Sequence, residues 1–173
     1  MKKGCVSLKN KTIHISNHGF EPVIDKFCTI LILGSFPSVK SRETSFYYMH
    51  PSNRFWPLLS IIFNVDFTIL SIKEKEKTLL KHHIALYDVL ISCDVDGSKD
   101  SSINNVKATD VFKLISNTKI NRIFINGKTA YNLFLKYNPS LKVITTYLPS
   151  TSSANARYNL DKLYNYWKTI KID

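Results

Sequence analysis

Two rhythms of apolar residues alternate along this chain. Phe27 to Leu33 (FCTILIL) is an unbroken apolar run of the kind that fits a strand covered on both faces. It stops at Gly34-Ser35-Phe36-Pro37-Ser38, which reads as a loop. Residues 39–52 are polar and aromatic and end in His50-Pro51. From Asn53 onward Phe55, Trp56, Leu59, Ile62 and Phe63 recur at helical spacing, with Pro57 acceptable only in the first turn. Ser71 to His83 predicts a charged amphipathic helix with Glu and Lys paired on a solvated face. Ile84 to Ile91 (IALYDVLI) reads as a second buried strand, followed by a loop over Ser92 to Ser102. Val106 to Ile115 reads as a short helix, Arg122 to Asn126 as a third strand, and Lys128 to Tyr137 as a helix closed by Asn138-Pro139. Lys142 to Thr146 is a fourth strand and Asp161 to Ile170 the last helix. Residues 1–26 form a mixed, polar N-terminal extension with room for a short hairpin and a turn at Asn17-His18-Gly19.

Strands alternating with helices predict an α/β domain, a three-layer α/β/α sandwich with a central four-stranded parallel sheet. A single domain fits 173 residues. Such sheets bind ligands at the carboxyl ends of their strands. The loops 34–52, 92–102, 126–128 and 147–155 are therefore where chemistry is expected.

Composition narrows the class. With 44% hydrophobic residues, 12% aromatics, 5 Gly and 6 Pro, disordered and collagen-like classes are excluded. Charge adds a partner: 24 Lys and Arg against 13 Asp and Glu leave a formal net charge of +11. A polyanion such as nucleic acid would relieve that self-repulsion, although a Lys-rich solvated surface would also account for it. Cys5, Cys28 and Cys93 are widely spaced, and no CxxC pattern occurs. Neither a disulfide framework nor a metal site is expected, and no organic cofactor either. No signal peptide and no run of about 18 apolar residues is visible. The expectation is a reduced, intracellular, cytoplasmic protein with no membrane partner, acting as a monomer.

Four blocks carry a resemblance. Gly34-Ser35-Phe36-Pro37-Ser38 with Phe46-Tyr47-Tyr48-Met49-His50-Pro51-Ser52-Asn53-Arg54-Phe55-Trp56 resembles the first motif region of the uracil-DNA glycosylase superfamily. Leu148-Pro149-Ser150-Thr151-Ser152-Ser153-Ala154-Asn155 resembles its second motif. Ala85 to Leu90 resembles its middle strand, and Asn126-Gly127-Lys128-Thr129-Ala130-Tyr131 the turn after its third. The Gly-Ser-x-Pro-Ser, Tyr-Tyr and Leu-Pro-Ser-Thr-Ser blocks are most similar to the DNA-deoxyinosine (hypoxanthine-DNA) glycosylase branch. In the right order, each on a strand-end loop, the blocks are far more specific than any one alone. One departure is visible. Phe36 stands where many members place Asn or Asp to orient water, and the deoxyinosine branch instead relies on the Asn of His-Pro-x-Asn, here Asn53.

The resemblance implies a monofunctional glycosylase that flips a deaminated base, hypoxanthine first, out of single- or double-stranded DNA and hydrolyses its N-glycosidic bond. Uracil, xanthine or mismatched pyrimidines are the alternative substrates, and a non-catalytic DNA-binding domain the alternative class. Asn53, Ser35 and Asp88 are the expected catalytic residues. Phe36, Tyr47, Tyr48 and Asn126 are expected to bind the base. Pro37, Ser38, His50, Arg54, Lys128, Ser150, Ser152, Ser153, Asn155 and Arg157 are expected to hold DNA, with Lys40 and Arg42 adding to the phosphate-tracking set. Plainer roles exist for many of them. Asn53 could cap the following helix, the aromatics could belong to the core, and Asp88 could anchor a loop.

Overall fold

The computed structural model describes residues 13–15, 18–95 and 104–171. Four parallel strands form the central sheet: β2 (Ile30–Gly34), β3 (Ile84–Asp88), β6 (Arg122–Asn126) and β7 (Thr145–Leu148). Their order is β3-β2-β6-β7. Every residue of β2 and β3 is buried, as continuous apolar strands under helices on both faces require. The helices are α1 (Val39–Thr44), α2 (Phe55–Phe63), α3 (Ile72–Lys81), α4 (Val111–Ile115), α5 (Lys128–Tyr137) and α6 (Leu160–Trp167). This is the expected α/β/α sandwich. Sequence and structure agree best where strong end signals exist. The start of α3, for example, is fixed by a capping box in which Ser71 and Glu74 bond reciprocally.

A second sheet was not expected. It is antiparallel and three-stranded, built from β1 (Ile13–Ile15), β4 (Leu90–Val95) and β5 (Asn104–Ala108), with β4 in the middle. The run Ile84 to Ile91 is therefore two strands, not one. Its first half pairs with β2 and its second half leaves for the other sheet. The break falls at Val89. There Gly34, the last residue of β2, and Ser35 just past it accept from Val89 N at 2.8 Å and Leu90 N at 3.1 Å. An apolar run carries no mark of a change of sheet. The expected 92–102 loop is shortened in the same way, since residues 92–95 are strand, and its remainder (96–102) lies outside the described residues. The helix expected from Val106 begins only at Val111, after β5 and a cap by Asp110. Pro139–Ile144 is a 3-10 helix, so the fourth strand starts at Thr145 rather than Lys142.

The stretch before β2 also joins the core. Val23 exchanges two hydrogen bonds with Leu86, and Phe20 and Val23 are each 6% exposed. The early half of the expected extension, residues 1–12, lies outside the described residues.

Candidate active site

The loops after β2 and β7 meet at the carboxyl ends of the parallel strands. On the first wall, Gly34 lies opposite Asp88 in the β2–β3 register. A methyl group on Gly34 would stand 2.5 Å from Asp88 Oδ1 and 3.0 Å from Tyr48 Oη. The missing side chain thus lets a carboxylate and a phenol converge on the end of the central strand. Asp88 Oδ2 and Tyr48 Oη are both closed off from solvent. Thr109 Oγ1 donates to the Asp88 carbonyl at 2.8 Å, which fixes the backbone beneath the carboxylate. Tyr48 has left-handed backbone (φ 55°) and stacks on Phe55 with centroids 3.9 Å apart.

Phe36 is half-buried in the same loop. The Arg42 guanidinium sits 5.7 Å from its ring centroid and donates to the Pro37 carbonyl at 2.7 Å. Ser38 caps α1, a helix inside the expected loop, through its Oγ to Ser41 N at 3.2 Å. Asn53 does two jobs. Its Oδ1 accepts from Phe55 N at 3.0 Å, bracing the turn into α2, although the cap position itself is Arg54 and not Asn53. Among the described residues its Nδ2 has no hydrogen-bond partner, so both donors of the amide remain for a ligand.

The second wall is made of main-chain carbonyls gathered on one cation. Arg54 Nε donates to Thr151 O at 3.2 Å and Nη2 to Asn155 O at 3.2 Å. Further bonds run from Nη1 to Tyr158 O and from Nη2 to Ser152 O. Desolvation pushes this guanidinium below its ordinary pKa, yet an arginine stays charged. Asn126, 9% exposed, grips the same loop from below: its Oδ1 accepts from Thr151 N and its Nδ2 donates to Thr151 Oγ1, both at 2.9 Å. Asn155 Nδ2 donates to Ser150 O at 2.9 Å, and Trp167 Nε1 to Pro149 O at 2.9 Å. Gly127, with φ 102°, sits so close to Ser150 that a methyl would meet its Cβ at 3.0 Å. The walls touch at the rim. Ser52 Oγ lies 2.8 Å from His50 Nδ1 and donates to Ser153 Oγ at 2.9 Å.

This site sits in a recognisable family. The model of the uracil DNA glycosylase superfamily matches residues 22–171. The chain belongs to the uracil DNA glycosylase superfamily. It is 34% identical over 156 residues to a hypoxanthine DNA glycosylase of Methanosarcina acetivorans, covering 88% of this chain and 96% of that protein. A hypoxanthine DNA glycosylase of Methanosarcina barkeri is 33% identical over 149 residues, covering 83% and 90%. A solution NMR structure of a Methanosarcina acetivorans protein, described as a uracil DNA glycosylase, superposes with a TM-score of 0.73 at 31% identity. That match covers 88% of this chain and 97% of the other. The chain is thus a DNA glycosylase, with DNA as its substrate. Among the described residues no helix is long and apolar enough to cross a membrane.

Several expected roles in this glycosylase need correction. Tyr47 is a core residue: 2% exposed, it donates to Glu21 O at 2.8 Å and packs edge-on against Phe20. Burial, with the Asp88 charge behind it, drives its phenol pKa far up. Asn126 is buried and commits its Oδ1 and one Nδ2 hydrogen to Thr151, so it holds the loop. Arg54 and Arg42 face carbonyls inside the fold rather than phosphates, and Lys40 pairs with Glu43 at 3.0 Å. The hydroxyls of Ser38, Ser150 and Ser152 cap local amides. Asn155 braces its own loop. His50, Ser153, Lys128 and Arg157 remain on the exposed surface around the walls, while Ser35 is half-buried and Pro37 buried on the first.

One residue escaped the sequence reading. His18 is 6% exposed and stands at the first wall, its ring centroid 5.8 Å from Phe36 and 5.5 Å from Tyr87. A lone histidine in a turn tripeptide gives no sign of such a position.

Proposed function

We propose that this chain is a monofunctional DNA glycosylase that hydrolyses the N-glycosidic bond of deoxyinosine and releases hypoxanthine. The observation that carries the reading is the convergence of Asp88 and Tyr48 on bare Gly34, at the start of the connection to α2 that also carries Phe36 and Asn53. The names of the two Methanosarcina relatives favour hypoxanthine as the base.

The chemistry follows from the charges. Breaking the C1′–N9 bond leaves the sugar positive and the base negative, as in sugar hydrolysis. The base must first leave the stack. Phe36 provides the face on which it lies. Asn53 Nδ2 donates to the base or to the attacking water, and preorganised donors of this kind are worth several kcal/mol where charge develops. The Asp88 carboxylate stabilises the positive sugar from a water-poor position, where its field is strong. Water adds its oxygen to C1′ and loses a proton; the departing base gains one. An intact strand with an abasic site remains. Lys128, Arg157, Ser153 and His50 hold the DNA backbone at the rim.

The test is incubation with duplexes holding one deoxyinosine, deoxyuridine or deoxyxanthosine, followed by alkali cleavage. Hypoxanthine is expected to be released fastest, with strand breaks only after alkali. Asn53→Ala and Asp88→Asn are expected to slow release about 100-fold or more with DNA affinity nearly unchanged. Release of uracil without hypoxanthine would reassign the substrate. Unchanged rates in both variants would remove these residues from the chemistry.

A further inference from the structure

His18 presents an unusual combination. Its backbone N donates to Ile91 O at 3.1 Å, so its place is set by the start of the second sheet. Its Nδ1 receives the Phe20 amide at 3.2 Å. A backbone amide can only donate, so Nδ1 is the lone-pair nitrogen and the proton of the neutral ring sits on Nε2. Nε2 is buried and, among the described residues, has no hydrogen-bond partner. Its surroundings are the rings of Phe20, Tyr87 and Phe36. Of these Phe36 alone is appreciably exposed. Burial also lowers the His18 pKa to about 4, which keeps the ring neutral at pH 7. A buried N–H without an acceptor is destabilising, so its retention beside the site asks for a reason.

We infer that His18 is a specificity-determining residue whose Nε2–H donates to the exocyclic oxygen that deamination creates on the flipped base. Deamination turns an amino donor into a carbonyl acceptor. A donor locked by its own tautomer donates to the carbonyl but meets the normal amino group N–H to N–H. Such a site rejects the undamaged base, because both groups would then be buried unpaired. Phe36 is the partly exposed side of this enclosure, the same ring on which the base is proposed to lie. The inference rests on the glycosylase reading above.

Two substitutions separate the two ring nitrogens. In His18→Asn the amide oxygen keeps an acceptor for Phe20 N but nothing reaches the place of Nε2. In His18→Gln the longer amide restores a donor there. Single-turnover release would be measured from duplexes carrying deoxyinosine or nebularine, a purine with hydrogen at C6 in place of oxygen. His18→Asn is expected to lose about 10- to 100-fold on hypoxanthine and to change little on nebularine. His18→Gln is expected to recover part of the hypoxanthine rate. Equal losses on both bases, following the melting temperature, would make His18 a packing residue and overturn the inference. Failure of the unsubstituted protein to release either base would overturn the glycosylase reading, and this inference with it.

Discussion

The loops after β2 and β7 each carry a Pro-Ser pair, Pro37-Ser38 and Pro149-Ser150, yet they are held by different means. The first is held by volume. Rings stack behind it, and a glycine leaves room at one point for Asp88 and Tyr48. The second is held by donors. Arg54 and Asn126 gather its main-chain groups from beneath. Close packing penalises added atoms, whereas a buried polar network penalises a missing partner. Opposite substitutions should therefore damage the two walls.

Gly34→Ala tests the first wall and should have the largest effect. One methyl must displace Asp88 and Tyr48, so glycosylase activity should fall about 100-fold or more, with a stability loss of about 1–3 kcal/mol. A full rate in this variant would show that the convergence at Gly34 is unimportant. Arg54→Met tests the second wall. Removing the cation strands several carbonyls, and a loss of about 3 kcal/mol is expected, seen as a melting point lower by roughly 6–12 °C. Arg54→Lys should recover little, because one ammonium cannot reproduce the fork.

Acid should weaken the first wall selectively. His18 has a folded pKa near 4, below the unfolded value of about 6.5. The unfolded chain therefore takes up the proton first. The contribution is fully present above about pH 6.5, shrinks as pH falls to about 4 and is lost below that, on the order of 3 kcal/mol in all. Melting curves across this range should show the decline in the native chain and a flatter profile in His18→Asn. Asn126→Ala should cost about 1–3 kcal/mol by orphaning Thr151 N, and should lower the melting point without changing which base is preferred. The smallest effects concern charge. Neutralising Lys128 and Arg157 should reduce the salt slope of DNA binding by about one for each phosphate they neutralise, and removing the exposed charges of Lys73 and Lys77 should leave it unchanged. Lys75 does not belong with that pair: it is 4% exposed, donates to Leu70 O and lies 5.5 Å from the Trp56 ring.

The parallel sheet was legible because buried strands and capped helices leave local signals, such as the apolar run of β6 and the Ser71–Glu74 box. The antiparallel sheet was not, because the departure of β4 from β3 depends on where β2 ends. In the site, the motif blocks pointed to the right loops but not to the role of each side chain. Asn126 and Arg54 are polar residues at strand and helix ends whether they face a ligand or a carbonyl far along the chain. Only the fold decides between those uses, and it chose the main chain. His18 was invisible for the same reason, since its partners Phe36, Tyr87 and Ile91 are distant in sequence.

The reach of Arg54 has a consequence for the life of the chain. Its carbonyl partners follow it by 97 to 104 residues. At about 5–20 residues per second, a ribosome needs roughly 5–20 s to supply them. Through that interval the guanidinium stays in water and the second wall does not exist. A nascent chain therefore emerges with its aromatic first wall able to collapse and its second wall missing. The ability to cut a base from DNA thus waits for residues made about a hundred positions after Arg54.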